Sequence, residues 1–254
     1  MSLSLLELAR KLKFRRIPEI LDAELTRATR EEASYTELLE RLWREELHAQ
    51  NDAACDRRIA AAHLPVIWDL DTFPYKDQPG IKRAVVKELA SLEFLVRSEN
   101  VVLIGNTGVG KTGLATGLLL KALQAGKRGR FIKAQDLFDE LYQSLADRST
   151  RRRLGHLAKL DLLLIDELSY LSLKPEQTNL FFKLMDERYT RRKSTLITTN
   201  LDYGEWGRFL NNPEMTPALT DRIKDRCNTI RIKGPSLRGK TEKAPLKRGP
   251  KLSA

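Results

Sequence analysis

The sequence predicts an α/β fold: a five-stranded parallel sheet between helices, preceded by a small all-helical N-terminal domain. Two observations carry this. From Ile81 onward, short apolar runs rich in β-branched residues alternate with amphipathic stretches of helical period, the pattern of a parallel sheet covered on both faces. Before residue 64 the apolar residues recur only at helical spacing. The 254 residues suffice for one medium domain plus a small one, and a hydrophobic content of 41% supplies a packed core.

Taken in order, residues 1–63 read as helical. Leu5, Leu8, Ala9 and Leu12 share one face, and Ile17, Ile20, Leu21 and Leu25 share another, with Pro18 near a helix start. A third helix begins with Ser34 as N-cap and Glu37 three residues on, the spacing of a capping box. Its apolar stripe is Leu38, Leu39, Leu42, Trp43 and Leu47. A bundle this small has a thin core and calls for a surface to dock on. Residues 64–80 change character. Pro65, Pro74, Pro79 and Gly80 interrupt any helix, while Trp68, Phe73 and Tyr75 predict a packed connector at the domain boundary.

The larger domain is expected over residues 81–233. An amphipathic helix is predicted at 81–97. Strands follow at 101–105, 129–133, 161–166, 195–199 and 228–233, with helices at 111–125, 136–147, 150–159, 175–192 and 214–226 and a short one near 203–210. Residues 234–254, with four prolines and glycines among many Lys and Arg after Pro235, have the composition of a disordered basic tail.

The formal charge of +11 fits a polyanionic partner. The basic clusters are Lys127–Arg130, Arg151–Arg153, Arg188 with Arg191–Lys193, and the tail. They lack interleaved aromatic residues, so contact with a nucleic acid would fall on phosphates with little sequence readout. His48, His63 and His156 are scattered, and Cys55 and Cys227 lack metal-type spacing. The N-terminal leucines are interrupted by Glu7, Arg10, Lys11 and Lys13, unlike a signal peptide, and no run reaches the ~20 apolar residues of a membrane span. A cytoplasmic location without membrane contact is expected.

Four motifs carry chemistry. The first is GNTGVGKT, following the strand Val101–Ile104. Its loop comprises Gly105, Asn106, Thr107, Gly108, Val109 and Gly110, and Lys111, Thr112 and Gly113 open the next helix. Such a loop wraps backbone N–H groups around a polyphosphate, and the helix start adds its positive end. Lys111 suits the β/γ-phosphates and the Thr112 hydroxyl suits Mg2+. The second is Asp161–Glu167, a buried strand ending in two acids. Asp166 suits the Mg2+ shell, and Glu167 suits polarisation of an attacking water. The spacing leaves room for an extra strand between the two motifs. The third is the strand Ser194–Thr199, tipped by Asn200, which suits a γ-phosphate or the attacking water. The fourth is Leu219–Arg226, where Arg222 and Arg226 fall four apart on one helix face. One of them suits an arginine finger reaching a neighbouring subunit's site, and the alternative is an ion-pair face with Asp221 and Asp225.

These segments resemble a known family. GNTGVGKT, LLLIDELSYL, NLFFKLMDERYTRRKSTLITTN, EWGRFL and LTDRIKDRC are together similar to the IstB-like helper ATPases of bacterial insertion sequences, relatives of the DnaC-type helicase loaders. The glycine loop and the acid-ended strand are shared by many ATPases, and the combination of DELSYL with NLFF, RYTRR, TTN and EWG is far more specific. The resemblance covers roughly residues 1–240. It implies an AAA+ P-loop NTPase core with ATP and Mg2+ as ligands, self-assembly into a homo-oligomer on duplex DNA, and work with a cognate transposase, with hydrolysis resetting the assembly. It places Lys111, Asp166, Glu167, Asn200, Arg222 and Arg226 at catalytic positions. Ser169 stands where many relatives carry glycine, and no helical lid with a second sensor arginine is assigned after the last strand. The rivals are a replicative helicase loader, a module that uses ATP only as an assembly ligand, and a small-molecule kinase.

Overall fold

The computed structural model describes residues 4–66, 68–169, 171 and 173–237. The chain divides into two compact units, Met1–Arg58 and Ile59–Ala254.

In the first unit, α1 (Leu5–Lys11) is capped by Ser4, whose hydroxyl accepts the Glu7 N–H while the Glu7 carboxylate accepts the Ser4 N–H. α2 (Ile17–Glu31) begins at the expected proline. Its exposed N–H groups meet a partner the sequence does not advertise. Glu46, from α3 (Tyr35–Ala61), accepts from the backbone N–H groups of Arg15, Arg16 and Ile17 at 2.7–3.1 Å. Burial alone would push this carboxyl up, but those donors outweigh it and hold it below the usual range. Ser34 and Glu37 form the expected capping box.

The apolar stripes are only partly used. The core is Ala9, Ile17, Leu21 and Leu42, with Phe14, Ile20 and Leu38 against it. Leu5, Leu8 and Leu12 are exposed, as are Leu39, Trp43 and Leu47. A 27-residue helix is much longer than the two helices that pack on it, so most of its stripe has no partner among the described residues.

In the second unit, β1 (Asn100–Gly105), β2 (Gly129–Lys133), β3 (Leu162–Asp166), β4 (Ser194–Thr199) and β5 (Cys227–Ile232) form one parallel sheet. The order is β2-β3-β4-β1-β5, so β4 is the extra strand between the two motif-bearing strands β1 and β3. Alternation sorts the side chains: Val102, Ile104, Leu163 and Ile165 enter one core layer, and Val101, Leu103, Leu162 and Leu164 the other.

The predicted helix over 81–97 is two. α4 (Arg83–Ala90) and α5 (Glu93–Val96) are separated at Leu92, which is left-handed at φ 63°. The Ser91 hydroxyl bonds the Glu88 carbonyl and draws the chain out of the helix. Next come α6 (Lys111–Gln124), α7 (Ala134–Ala146), α8 (Thr150–Lys159), α9 (Pro175–Thr190), α10 (Trp206–Leu210) and α11 (Met215–Asp225), within two residues of expectation apart from α10. The segment 203–210 is a 3-10 turn, Tyr203–Glu205, followed by α10.

The division at 58/59 falls ahead of the proline-aromatic stretch, which packs into the second unit. Trp68 and Phe73 rings lie 5.8 Å apart, and Phe73 and Tyr75 5.0 Å. Trp68 approaches α6 so closely that a Cβ on Gly113 would stand 2.7 Å from its ring. Phe73 is 4% exposed and sits in the same layer as Val109 and Leu114. No helix among the described residues is long and apolar enough to cross a membrane.

Candidate nucleotide site

The C-terminal ends of β1, β3 and β4 open on one cleft of about 410 Å3. Ligands of open parallel sheets bind in this position. Thr107, Gly108, Gly110, Lys111, Thr112 and Gly113 line it from one side, and Glu167 and Asn200 from the other. Three motifs far apart in the chain thus meet in one place.

Gly108 and Gly110 take φ of 86° and 93°, where a side chain would be strained. The Lys111 ammonium donates across the loop to the carbonyls of Gly105 at 2.7 Å and Asn106 at 2.9 Å. The Thr112 hydroxyl meets both Asp166 oxygens at 3.0 and 3.1 Å. Asp166 is 2% exposed, and burial pushes its carboxyl up; the bonds from Thr198 and Thr112 oppose this, and the Glu167 charge adds to it. Glu167 is left-handed at φ 59°, with its carboxylate half exposed and 3.9 Å from the Lys133 ammonium. The cluster of a glycine loop, a hydroxyl and a carboxylate is hard-oxygen chemistry suited to a magnesium-triphosphate. Among the described residues no group of three or more His, Cys, Asp and Glu gathers as a metal site, so such an ion would draw its remaining ligands from phosphates and water.

Among the lining residues that sequence reasoning does not mark for the site are Trp68, Lys133, Thr198 and Leu237. Trp68 reads in the sequence only as a packing aromatic. Thr198 reads as an ordinary β-branched strand residue. Leu237 belongs to the stretch whose composition forecast disorder, yet it is 5% exposed and its N–H donates to the Gly108 carbonyl at 2.8 Å. The Gln78 amide fastens the same segment, donating to the carbonyls of Val109 at 3.2 Å and Pro235 at 3.0 Å. The disorder expectation therefore differs from the structure at Pro235–Leu237, where an apolar side chain finds shelter against the loop. Its remainder, 238–254, lies outside the described residues.

Arg222 and Arg226 are not in this cleft. They lie at the opposite end of the sheet, lining a recess with Asn100, Arg188 and Tyr189. The Arg222 guanidinium pairs with Asp186 at 3.0 Å and lies 4.7 Å over the Phe182 ring. That of Arg226 meets Asp225 at 3.5 Å and lies 4.9 Å over Tyr189. The expected ion-pair partner Asp221 makes no ion pair among the described residues; Asp186, brought in by α9, takes its place for Arg222.

The basic clusters are partly consumed internally. Arg130 and Arg153 share Glu140, and Arg128 and Lys193 share Asp161. Arg188 is fully buried. Its guanidinium donates to the carbonyls of Leu157, Leu160 and Ser194 and to the Thr195 hydroxyl, and burial pushes its pKa down to about 9.

A parallel sheet of this order, with a glycine loop after β1 and an acid pair after β3, defines a P-loop NTPase of the AAA+ class. Solved structures share the fold. The DnaC helicase loader superposes with a TM-score of 0.57 at 23% identity, covering 70% of this chain and 99% of that one. DnaI gives 0.56 at 21%, over 67% and 90%. AMPPCP-bound DnaA from Aquifex aeolicus gives 0.56 at 20%, over 69% and 53%. The chain belongs to the IstB-like ATP binding protein family, which it matches over residues 7–245. It is 34% identical to the IS21 insertion-sequence ATP-binding protein of Pseudomonas aeruginosa, over 92% of this chain and 88% of that protein. It is 32% identical to the IS232 counterpart of Bacillus thuringiensis, over 89% and 90%.

Proposed function

We propose that this chain hydrolyses MgATP in the cleft at the strand ends, assembles with copies of itself on duplex DNA in the ATP-bound form, and assists a cognate transposase. The observation that carries the reading is the meeting of the glycine loop, Glu167 and Asn200 in one cleft, with Asp166 bonded to Thr112 of the loop, while the candidate finger arginines face away from it.

In this scheme the loop N–H groups and Lys111 hold the β/γ-phosphates. Thr112 and Asp166 hold the magnesium ion, whose contribution is to neutralise charge developing on the phosphate oxygens. Glu167 polarises the attacking water, and Asn200 orients the water or the γ-phosphate. Arg222 or Arg226 of one copy completes the site of the next, so the hydrolytic unit is an oligomer. Contact with DNA is to phosphates. Arg148, Arg151 and Arg152, in the turn between α7 and α8 and on its first residues, are exposed and form no salt bridge among the described residues, which suits that role. The insertion-sequence names of the relatives support a transposase as partner.

The test is binding of the full chain to duplex DNA with ATP, with ADP and without nucleotide, read by mobility shift and electron microscopy. ATP-dependent assembly on the duplex is expected. Equal binding in all three states would overturn the coupling. Affinity capture with the full chain is expected to recover a transposase; recovery of a replicative helicase instead would make it a loader.

A further inference from the structure

Thr198 and Thr199 end β4 and Asn200 follows; all three line the cleft, but their side chains make different bonds. By alternation Thr199 turns away from Thr198, and its hydroxyl accepts the Leu201 N–H at 3.0 Å, shaping the turn. Asn200 sits at the cleft. Thr198 is fully buried, one residue past the Ile165–Ile197 pair of the β3–β4 register and hence beside Asp166.

We propose that Thr198 is the positioning residue for both acids of the site. The proposal rests on the ATPase reading above. The Thr198 hydroxyl donates to Asp166 Oδ1 at 2.5 Å and accepts the backbone N–H of Glu167 at 2.9 Å. The Thr198 carbonyl accepts the Leu168 N–H at 2.9 Å, so the chain leaving the acid pair is pinned to the same residue. One hydroxyl thus sets the rotamer of the carboxylate that faces Thr112 and fixes the peptide that carries Glu167. That peptide needs fixing: Glu167 is left-handed at φ 59°, a conformation a non-glycine residue keeps only when its surroundings over-determine it. Threonine suits the task because branching at Cβ restricts χ1, so the strand itself aims the hydroxyl. Serine would keep the two hydrogen bonds with a looser aim; valine would keep the shape and lose both.

The experiment compares wild type, Thr198→Val and Thr198→Ser in the full chain with duplex DNA present. For Thr198→Val, kcat is expected to fall about 10- to 100-fold, the range for losing a group that orients a metal-binding or catalytic side chain. Nucleotide affinity without magnesium is expected to hold, and the magnesium concentration for half-maximal binding of a fluorescent ATP analogue to rise about tenfold. Thr198→Ser is expected to restore most of both. A third readout needs neither turnover nor a stable variant: in the wild type the Glu167 amide should be protected from hydrogen exchange. A folded Thr198→Val protein with wild-type kcat and magnesium dependence would overturn the proposal. So would Thr198→Ser as slow as Thr198→Val, or a Glu167 amide exchanging freely in the wild type. A wild type that protects this amide and binds ATP without hydrolysing it would instead sink the ATPase reading, while leaving the hydroxyl's hold on the acids intact.

Discussion

The finger assignment makes a quantitative prediction in mixtures. The six-residue strand β1 separates Asn100, whose N–H donates to the Arg226 carbonyl, from Gly105 at the nucleotide loop. At about 3.3 Å per residue these ends stand about 17 Å apart, beyond the reach of an arginine side chain acting within its own copy. Any contribution of Arg222 or Arg226 to hydrolysis must therefore come from a neighbour. Consider two inactive proteins that both still bind ATP, Glu167→Gln, with a disabled acid and intact arginines, and Arg226→Ala, with the reverse. An interface is productive only when an intact acid faces an intact arginine. In an equimolar, randomly assembled mixture that holds for about one interface in four, whether the assembly is a closed dimer, a ring or a helix. Each variant alone should lose DNA-stimulated phosphate release by about 10³-fold or more, the scale measured for such arginines. The mixture should then recover about a quarter of the wild-type rate. The same series with Arg222→Ala identifies which arginine acts. Recovery no greater than the sum of the two separate rates, for both arginines, would refute the reasoning, provided mixing is shown by co-sedimentation.

Three further outcomes are expected. Glu167→Gln should bind ATP normally and prolong the DNA-bound state, measured as a slower dissociation rate; unchanged dissociation would separate hydrolysis from release. Arg151→Ala with Arg152→Ala should reduce the slope of log affinity against log salt by about two, since each lost phosphate contact removes close to one released counterion; an unchanged slope would clear α8 of DNA contact. Glu46→Gln should destabilise the N-terminal unit by about 2 kcal/mol, the scale of a buried charge at a helix start that also accepts backbone donors. Its sign with pH is fixed: the folded carboxyl titrates below its ordinary value, so the stabilisation is complete above about pH 4.3 and is lost as pH falls through the lowered folded value. Acid melts followed by helical circular dichroism should show this limb in the wild type and a reduced one in the variant.

What the sequence reveals and what it conceals divide along a physical line. The nucleotide loop, the acid pair and the strand tip are local signals, because glycine conformations, strand ends and helix starts are dictated by neighbours in the chain. Their gathering in one cleft follows from parallel topology, which brings all strand ends to one side. Thr198, Trp68 and Leu237 enter the same cleft through long-range packing, and nothing in a β-branched run, an aromatic connector or a basic tail marks them for it. Arg188 misleads in the opposite way. It stands in an Arg-rich stretch that reads as a solvated face, and only the fold reveals four acceptors waiting for it between α8, β4 and the start of β3. Glu46 is similar: its partners lie some thirty residues away, at the start of another helix. The helix break at Leu92 escapes because its neighbours Leu89 and Ala90 favour helix and the Ser91 hydroxyl decides the outcome.

Three arginines meet at the far end of the sheet, and their surroundings sort them. Arg188 has its donors turned inward on carbonyls and one hydroxyl, and it is fully buried, so it cannot leave without stranding those acceptors. Arg222 and Arg226 are held by their faces. Rings of Phe182 and Tyr189 lie beneath them, with side chains about a third exposed. Stacking on an aromatic face steadies a planar guanidinium without consuming the N–H groups on its edge, which remain able to exchange an aspartate for a phosphate. Both rings belong to α9, whose sixteen residues span about 24 Å from the loop that follows the acid pair to this corner. The platform that presents the arginines is thus the helix that follows, after a connecting loop, the strand ending in Asp166. Under the proposed assembly, the cleft of one copy and the arginines of the next are the two halves of a site, and contact between copies brings them together.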